Sequence, residues 1–130
     1  TFDKNGLIYT LGTKLGQYKI WQNPFNLRIV DIKTSKYGWD NEEDNLEHVI
    51  SRYKTPVYSK SDRDGPYFIV DFRDLKIKAT GYGIGKHQHA TYEMKRWKFE
   101  GSNDGKLWET IDEKRDRYEF QNGSKKYSNI

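Results

Sequence analysis

The chain contains no cysteine among its 130 residues, which removes disulfide bonds and thiolate chemistry from any account of its stability or activity. No apolar run approaches membrane-crossing length and no signal-peptide pattern opens the chain, so a cytoplasmic or otherwise intracellular location is the expectation. Internal repeats, low-complexity segments and interdomain linkers are also missing, which predicts a single domain over residues 1–130. The first residue is Thr1 and not Met, as in a module cut from a longer protein.

Neither sign of charge dominates. The net charge is +4, from 23 basic and 19 acidic residues. Basic and acidic side chains interleave, as between Glu109 and Glu119, which describes a solvated face and not a phosphate-tracking stripe. A nucleic-acid partner is therefore not expected.

Hydrophobic content is low at 34%, but aromatic content reaches 15%, with Trp 4, Tyr 10 and Phe 6. Large rings bury much area per residue and favour strands, so an aromatic-rich β core is expected. The clearest unit is a hairpin over residues 95–111. Trp97 and Phe99 alternate with Lys98 and Glu100, giving one apolar and one wet face. Gly101-Ser102-Asn103-Asp104-Gly105 supplies the turn, and Trp108 carries a buried ring on the second arm.

Other strand-like segments recur about every ten residues, as in a sandwich or barrel. They are a short apolar run at 7–11, a β-branched stretch at 27–32 after the loop entry Asn23-Pro24, Val57-Tyr58, and residues 67–72 after Gly65-Pro66. Residues 76–84 alternate in phase, but Gly81, Gly83 and Gly85 predict a bent or bulged strand there. Helix signals are weak, the best being residues 41–50, where acidic residues crowd the first turn. After Ile111 no obvious closing strand follows, so that strand is expected to be atypical or missing.

The string Trp-Lys-Phe-Glu-Gly-Ser-Asn-Asp-Gly-Lys-Leu-Trp-Glu-Thr-Ile, residues 97–111, resembles the signature of discoidin domains, also called coagulation factor 5/8 type C domains. The blocks Asn5-Gly6-Leu7-Ile8-Tyr9-Thr10-Leu11-Gly12-Thr13, Gln22-Asn23-Pro24, Asp44-Asn45-Leu46-Glu47-His48 and Tyr67-Phe68-Ile69-Val70-Asp71-Phe72 extend the likeness over nearly the whole chain. They look like an intracellular branch of that family, found appended to BTB proteins and HECT-type ubiquitin ligases. The resemblance implies an all-β, discoidin-like antiparallel β-sandwich of jelly-roll or distorted-barrel type. It also implies ligand loops at one end of the sandwich, at residues 37–45, 51–60 and 85–95.

Candidate chemistry is thin. His87 and His89 lie two residues apart on one side of an extended segment, with His48 elsewhere, and metal ligation would need further converging donors. They read as exposed loop histidines, with ligand contact the alternative. Glu42, Glu43 and Asp44 are adjacent and point in different directions, a solvated helix start and not a calcium cage. No nucleophile elbow or acid–base pair stands out, so neither catalysis, nor a cofactor, nor a metal is expected. The expected function is a non-catalytic protein-interaction module, within a ubiquitin-ligase or BTB-type protein. Its expected ligand face carries Trp39, Arg52, Tyr53, Lys86, His87, His89 and Tyr92, a mixture of flat rings, donors and cations suited to a protein or peptide partner. A carbohydrate-binding module of a secreted enzyme, taking a glycan, is the alternative.

Overall fold

The computed structural model describes residues 4–35, 42–51, 65–85, 96–115 and 127–129. Among these, strands predominate over helices, consistent with an all-β fold, and they form three two-stranded antiparallel sheets. The chain divides into two compact units, residues 1–78 and 79–130.

The first unit is built on strands β1 (Asp31–Thr34) and β2 (Phe68–Asp71), paired with Ile32 opposite Val70 and Lys33 opposite Ile69. Val30 and Ile32, at 1% and 2% exposure, anchor its core, and each buried aliphatic contributes about 1.5 to 3 kcal/mol. Buried Ser35 prolongs the ladder past β1: its backbone N–H donates to the Tyr67 carbonyl at 3.0 Å, and its Oγ accepts from the Tyr67 N–H at 3.0 Å. β2 ends where the Asp71 carboxylate accepts the Arg73 N–H at 2.8 Å, an Asx turn that holds Arg73 at φ +56°.

Two strand expectations fail in this unit. Residues 7–11 are not a strand, since Leu7–Gly12 forms the helix α1. The helix is tied from outside the segment, where the Trp21 indole N–H donates to the carbonyl of Ile8, its second residue, at 3.2 Å. Thr10 and Thr13 add hydroxyl bonds to the carbonyls of Gly6 and Tyr9, both at 3.1 Å. The β-branched stretch at 27–32 also starts its strand late, at Asp31. Asn23 and Pro24 organise a turn there: the Phe25 N–H donates to Asn23 Oδ1 at 3.0 Å, the Leu27 N–H to the Asn23 carbonyl at 3.1 Å, and the Ile29 N–H to the Pro24 carbonyl at 2.9 Å. Asn23 also donates through Nδ2 to the Glu47 carbonyl at 2.8 Å. That bond reaches the 3₁₀ helix Glu42–Ile50, the helical segment expected at 41–50 in its tighter form.

The second unit holds the hairpin of β4 (Trp97–Gly101) and β5 (Glu109–Lys114), as expected, with a bulge at Phe99/Glu100. Trp97 faces Lys114 and Phe99 faces Asp112 across the pair, and Trp97 and Phe99 are half-buried between exposed Lys98 and Glu100. Trp108 departs from expectation. It lies just before β5 begins and is 41% exposed, so it is not a core ring of the second arm.

Of the bent strand expected over 76–84, only β3 (Gly83–Gly85) is regular. Residues 75–81 are exposed and join no ladder among the described residues: Leu75 and Ile77 stay in solvent, so the alternation has no buried face to hold a strand. β3 pairs antiparallel with β6 (Tyr127–Asn129), Ile84 opposite Ser128. A C-terminal strand is thus present, though only three residues long. The expected strand at Val57-Tyr58 lies outside the described residues.

Candidate functional site

None of the seven side chains expected to form the ligand face can be placed. Trp39, Arg52, Tyr53, Lys86, His87, His89 and Tyr92 all lie outside the described residues. Two other arrangements emerge from the described parts, one in each unit.

In the second unit a polar chain runs along the hairpin face. The Trp97 indole N–H donates to the Tyr82 hydroxyl at 2.8 Å, and that hydroxyl donates to Asp112 Oδ2 at 2.6 Å. Lys114 Nζ meets the other carboxylate oxygen, Oδ1, at 3.0 Å. The Tyr82 ring stacks on Phe99, centroids 4.3 Å apart and planes 16° from parallel, a contact worth about 0.5 to 1.5 kcal/mol beyond its buried area. The antiparallel register explains the grouping, since directly opposed residues share a face and Trp97, Phe99, Asp112 and Lys114 are two such pairs. The Tyr82 hydroxyl first, and Lys114 second, hold the Asp112 carboxyl below its ordinary range. Each of its oxygens meets a donor, so the group reads as a brace between the lead-in to β3 and the hairpin.

The hairpin tip is equally well tied. Asp104 Oδ1 accepts the N–H of Lys106 at 2.8 Å and of Leu107 at 2.9 Å, while Ser102 Oγ accepts the N–H of Gly105 at 2.8 Å. These backbone donors, Leu107 foremost, lower the Asp104 carboxyl. Gly105 takes φ +72°, the conformation the turn requires and that glycine adopts without penalty. Beyond the tip, Leu107 is 80% exposed and Ile111 54%.

In the first unit the loop after α1 presents Leu15 and Ile20 at 80% and 79% exposure. His48 sits in the 3₁₀ helix with its Nε2 3.9 Å from Glu47 Oε1 and its buried Nδ1 without a hydrogen-bond partner among the described residues. Among the described residues no three His, Asp or Glu side chains converge as metal ligands would. No described helix is long and apolar enough to cross a membrane.

Sequence reasoning missed both arrangements. The in-phase alternation of Tyr82 with Ile84 was the one local sign that Tyr82 faces a neighbour, and nothing local pointed from it to Asp112. For the loop, Leu7 and Leu11 at helical spacing, followed by Gly12 and Gly16, were the available signals of a helix and its end.

Among proteins of known function, the chain is similar to the E3 ubiquitin-protein ligase hecd-1 of Caenorhabditis elegans, at 29% identity over 114 residues. The match takes in 85% of this chain and spans only 4% of the length of that relative. No protein-family model and no solved structure matches the chain.

Proposed function

We propose that this chain is a non-catalytic binding module of a ubiquitin-ligase-related protein, engaging a protein or peptide partner. The observation that carries the proposal is the similarity to one short segment, 4% of a much longer E3 ubiquitin-protein ligase, over 85% of this chain. A segment that small within a large ligase suits a recognition module better than the whole of its chemistry. The strand-rich architecture with locked turns fits a rigid scaffold that displays loops. We take the finer fold to be a discoidin-like β-sandwich or jelly roll, working inside the cell. Its ligand face is assigned to the loops carrying Trp39, Arg52, Tyr53, Lys86, His87, His89 and Tyr92.

The test is an alanine scan of those seven positions in the 130-residue chain, scored first for an unchanged melting temperature and then for capture of defined partners from a cell lysate and binding on a glycan array. Loss of protein capture in folded Trp39→Ala, His87→Ala and Tyr92→Ala variants is the expected result. Undiminished capture by all three would place the face elsewhere, and binding confined to glycans would replace the protein-interaction reading.

A further inference from the structure

The loop after α1 carries none of those seven positions and presents a surface of its own. Residues 4–30 contain Lys4, Lys14, Lys19 and Arg28 and not one Asp or Glu, where an even spread of the chain's 19 acids would place about four. All four cations are exposed, and none forms an ion pair with a described residue. The same stretch holds Leu15 and Ile20, among the most exposed large hydrophobic side chains of the described structure, at 80% and 79%.

The backbone between them is held in an unusual form. Lys14, Leu15 and Gly16 follow one another at φ +48°, +57° and +86°. Only the last is a glycine, and a side chain with a Cβ is disfavoured in this region. The conformation persists because it is tied at several points: the Leu15 N–H donates to the Thr10 carbonyl at 3.0 Å, the Tyr18 N–H to the Thr13 carbonyl at 2.9 Å and the Gln22 N–H to the Gly12 carbonyl at 2.8 Å. Lys14 Nζ lies 5.7 Å from the centre of the Tyr18 ring, over its face. A leucine at φ +57° and almost wholly in water gives the fold nothing that glycine would not give with less strain.

We infer that the loop at residues 14–20 docks a peptide segment that combines acidic with aliphatic or aromatic side chains, a second recognition surface that deepens the binding-module reading and rests on it. Leu15 and Ile20 receive the apolar side chains, Lys14 and Lys19 receive carboxylates, and Lys4 and Arg28 add to the field that steers an acidic partner. The pre-set backbone spares the ordering that a flexible loop would lose on binding. Anionic bilayers share the charge logic, but two aliphatic side chains offer less apolar bulk than the single acyl chain that by itself anchors only marginally.

The test is selection of a displayed random-peptide library on the 130-residue chain, followed by fluorescence titration of the enriched peptides. Enrichment of peptides mixing Asp or Glu with large apolar residues is expected, with affinity that falls as salt rises. Leu15→Gly should weaken them at least about tenfold, the scale of one lost buried aliphatic side chain, while melting at or above the parent temperature. Ile20→Ser and the double reversal Lys14→Glu with Lys19→Glu should weaken them too, so the outcome does not hang on one variant. Enriched peptides lacking acids, or binding that survives all three changes, would overturn the assignment. Peptides lost in Trp39→Ala but retained by Leu15→Gly would overturn it while leaving the binding-module reading standing. Binding to phosphatidylserine vesicles with no peptide enrichment would overturn it in favour of a lipid surface.

Discussion

Tyr82 donates its hydroxyl proton to Asp112 Oδ2 across 2.6 Å and 30 residues of sequence, tying the segment that leads into β3 to the second arm of the β4–β5 hairpin. The same hydroxyl accepts from the Trp97 indole at 2.8 Å, so one oxygen serves both arms of the hairpin. Stacking on Phe99 fixes the ring that carries it. Three aromatic residues and one carboxylate thereby organise the second unit, and the predictions for that unit start from them.

Tyr82→Phe keeps the stacked ring and removes only the oxygen. The Trp97–Tyr82 bond is lost with it, a neutral hydrogen bond worth about 0.5 to 1.5 kcal/mol, and Asp112 loses its shortest donor. The variant should stay folded with a lower urea midpoint and an unchanged slope, whereas Tyr82→Ala, which also removes the stack, should fall further. Equal midpoints for Tyr82→Phe and the parent would mean that the hydroxyl carries no stability.

Acid should loosen the hairpin in a defined direction. The carboxyls of Asp112 and Asp104 both titrate below their ordinary value of 3.8 in the folded chain. The unfolded chain therefore takes up protons first as pH falls. The stabilisation is complete well above 3.8 and is lost as pH drops through the lower folded values. Urea midpoints measured from about pH 7 down to about pH 3 should decline at the acid end, and less steeply in Asp112→Asn and Asp104→Asn, whose side chains do not titrate. Parallel curves for the parent and both variants would remove these two groups from the account.

The hairpin was legible because its information is local: alternation at Trp97 and Phe99 sets one face, and Ser102, Asp104 and Gly105 close their own turn through bonds spanning two or three residues. Helix α1 was not legible, since six residues are too few to be helical alone and the bond that ties it down comes from Trp21, 13 residues on from Ile8. β1 was displaced from the β-branched stretch by the Asn23-Pro24 turn, whose bonds to Leu27 and Ile29 use up that stretch's first residues. The Tyr82–Asp112 brace depends on which strands meet, and no periodicity within either segment encodes that. The seven residues of the expected ligand face lie outside the described residues, so geometry neither gathers nor scatters them.

Trp97 and Trp108, which read alike in the sequence, should respond differently to truncation. Trp97 is half-buried on the face shared with Phe99 and bonds Tyr82, while Trp108 is 41% exposed ahead of β5. A fully buried tryptophan costs about 3 to 5 kcal/mol when cut to alanine, and Trp97→Ala should approach the lower end of that range. Trp108→Ala should cost clearly less. Thermal melts of the two variants, run side by side, decide the matter. A larger loss at Trp108 would return that ring to the core.

Trp21 closes on a residue without a side chain. A Cβ built on Gly12 would overlap the Trp21 indole and crowd the Gln22 carbonyl oxygen, whereas one built on Gly6 meets nothing within 4 Å. Neither glycine has a positive φ, so the comparison isolates space from backbone strain. Gly12→Ala must push the indole away, stretching its 3.2 Å bond to the Ile8 carbonyl and disturbing the closure of the loop by Gln22. Overpacking of this kind costs about 1 to 3 kcal/mol, while Gly6→Ala should stay within about 0.5 kcal/mol of the parent. Urea denaturation followed by tryptophan fluorescence measures both changes. Gly12→Ala should also shift the native emission, because Trp21 is the ring displaced. Equal stability of the two variants, with unshifted emission, would show that Trp21 does not close on Gly12 in solution.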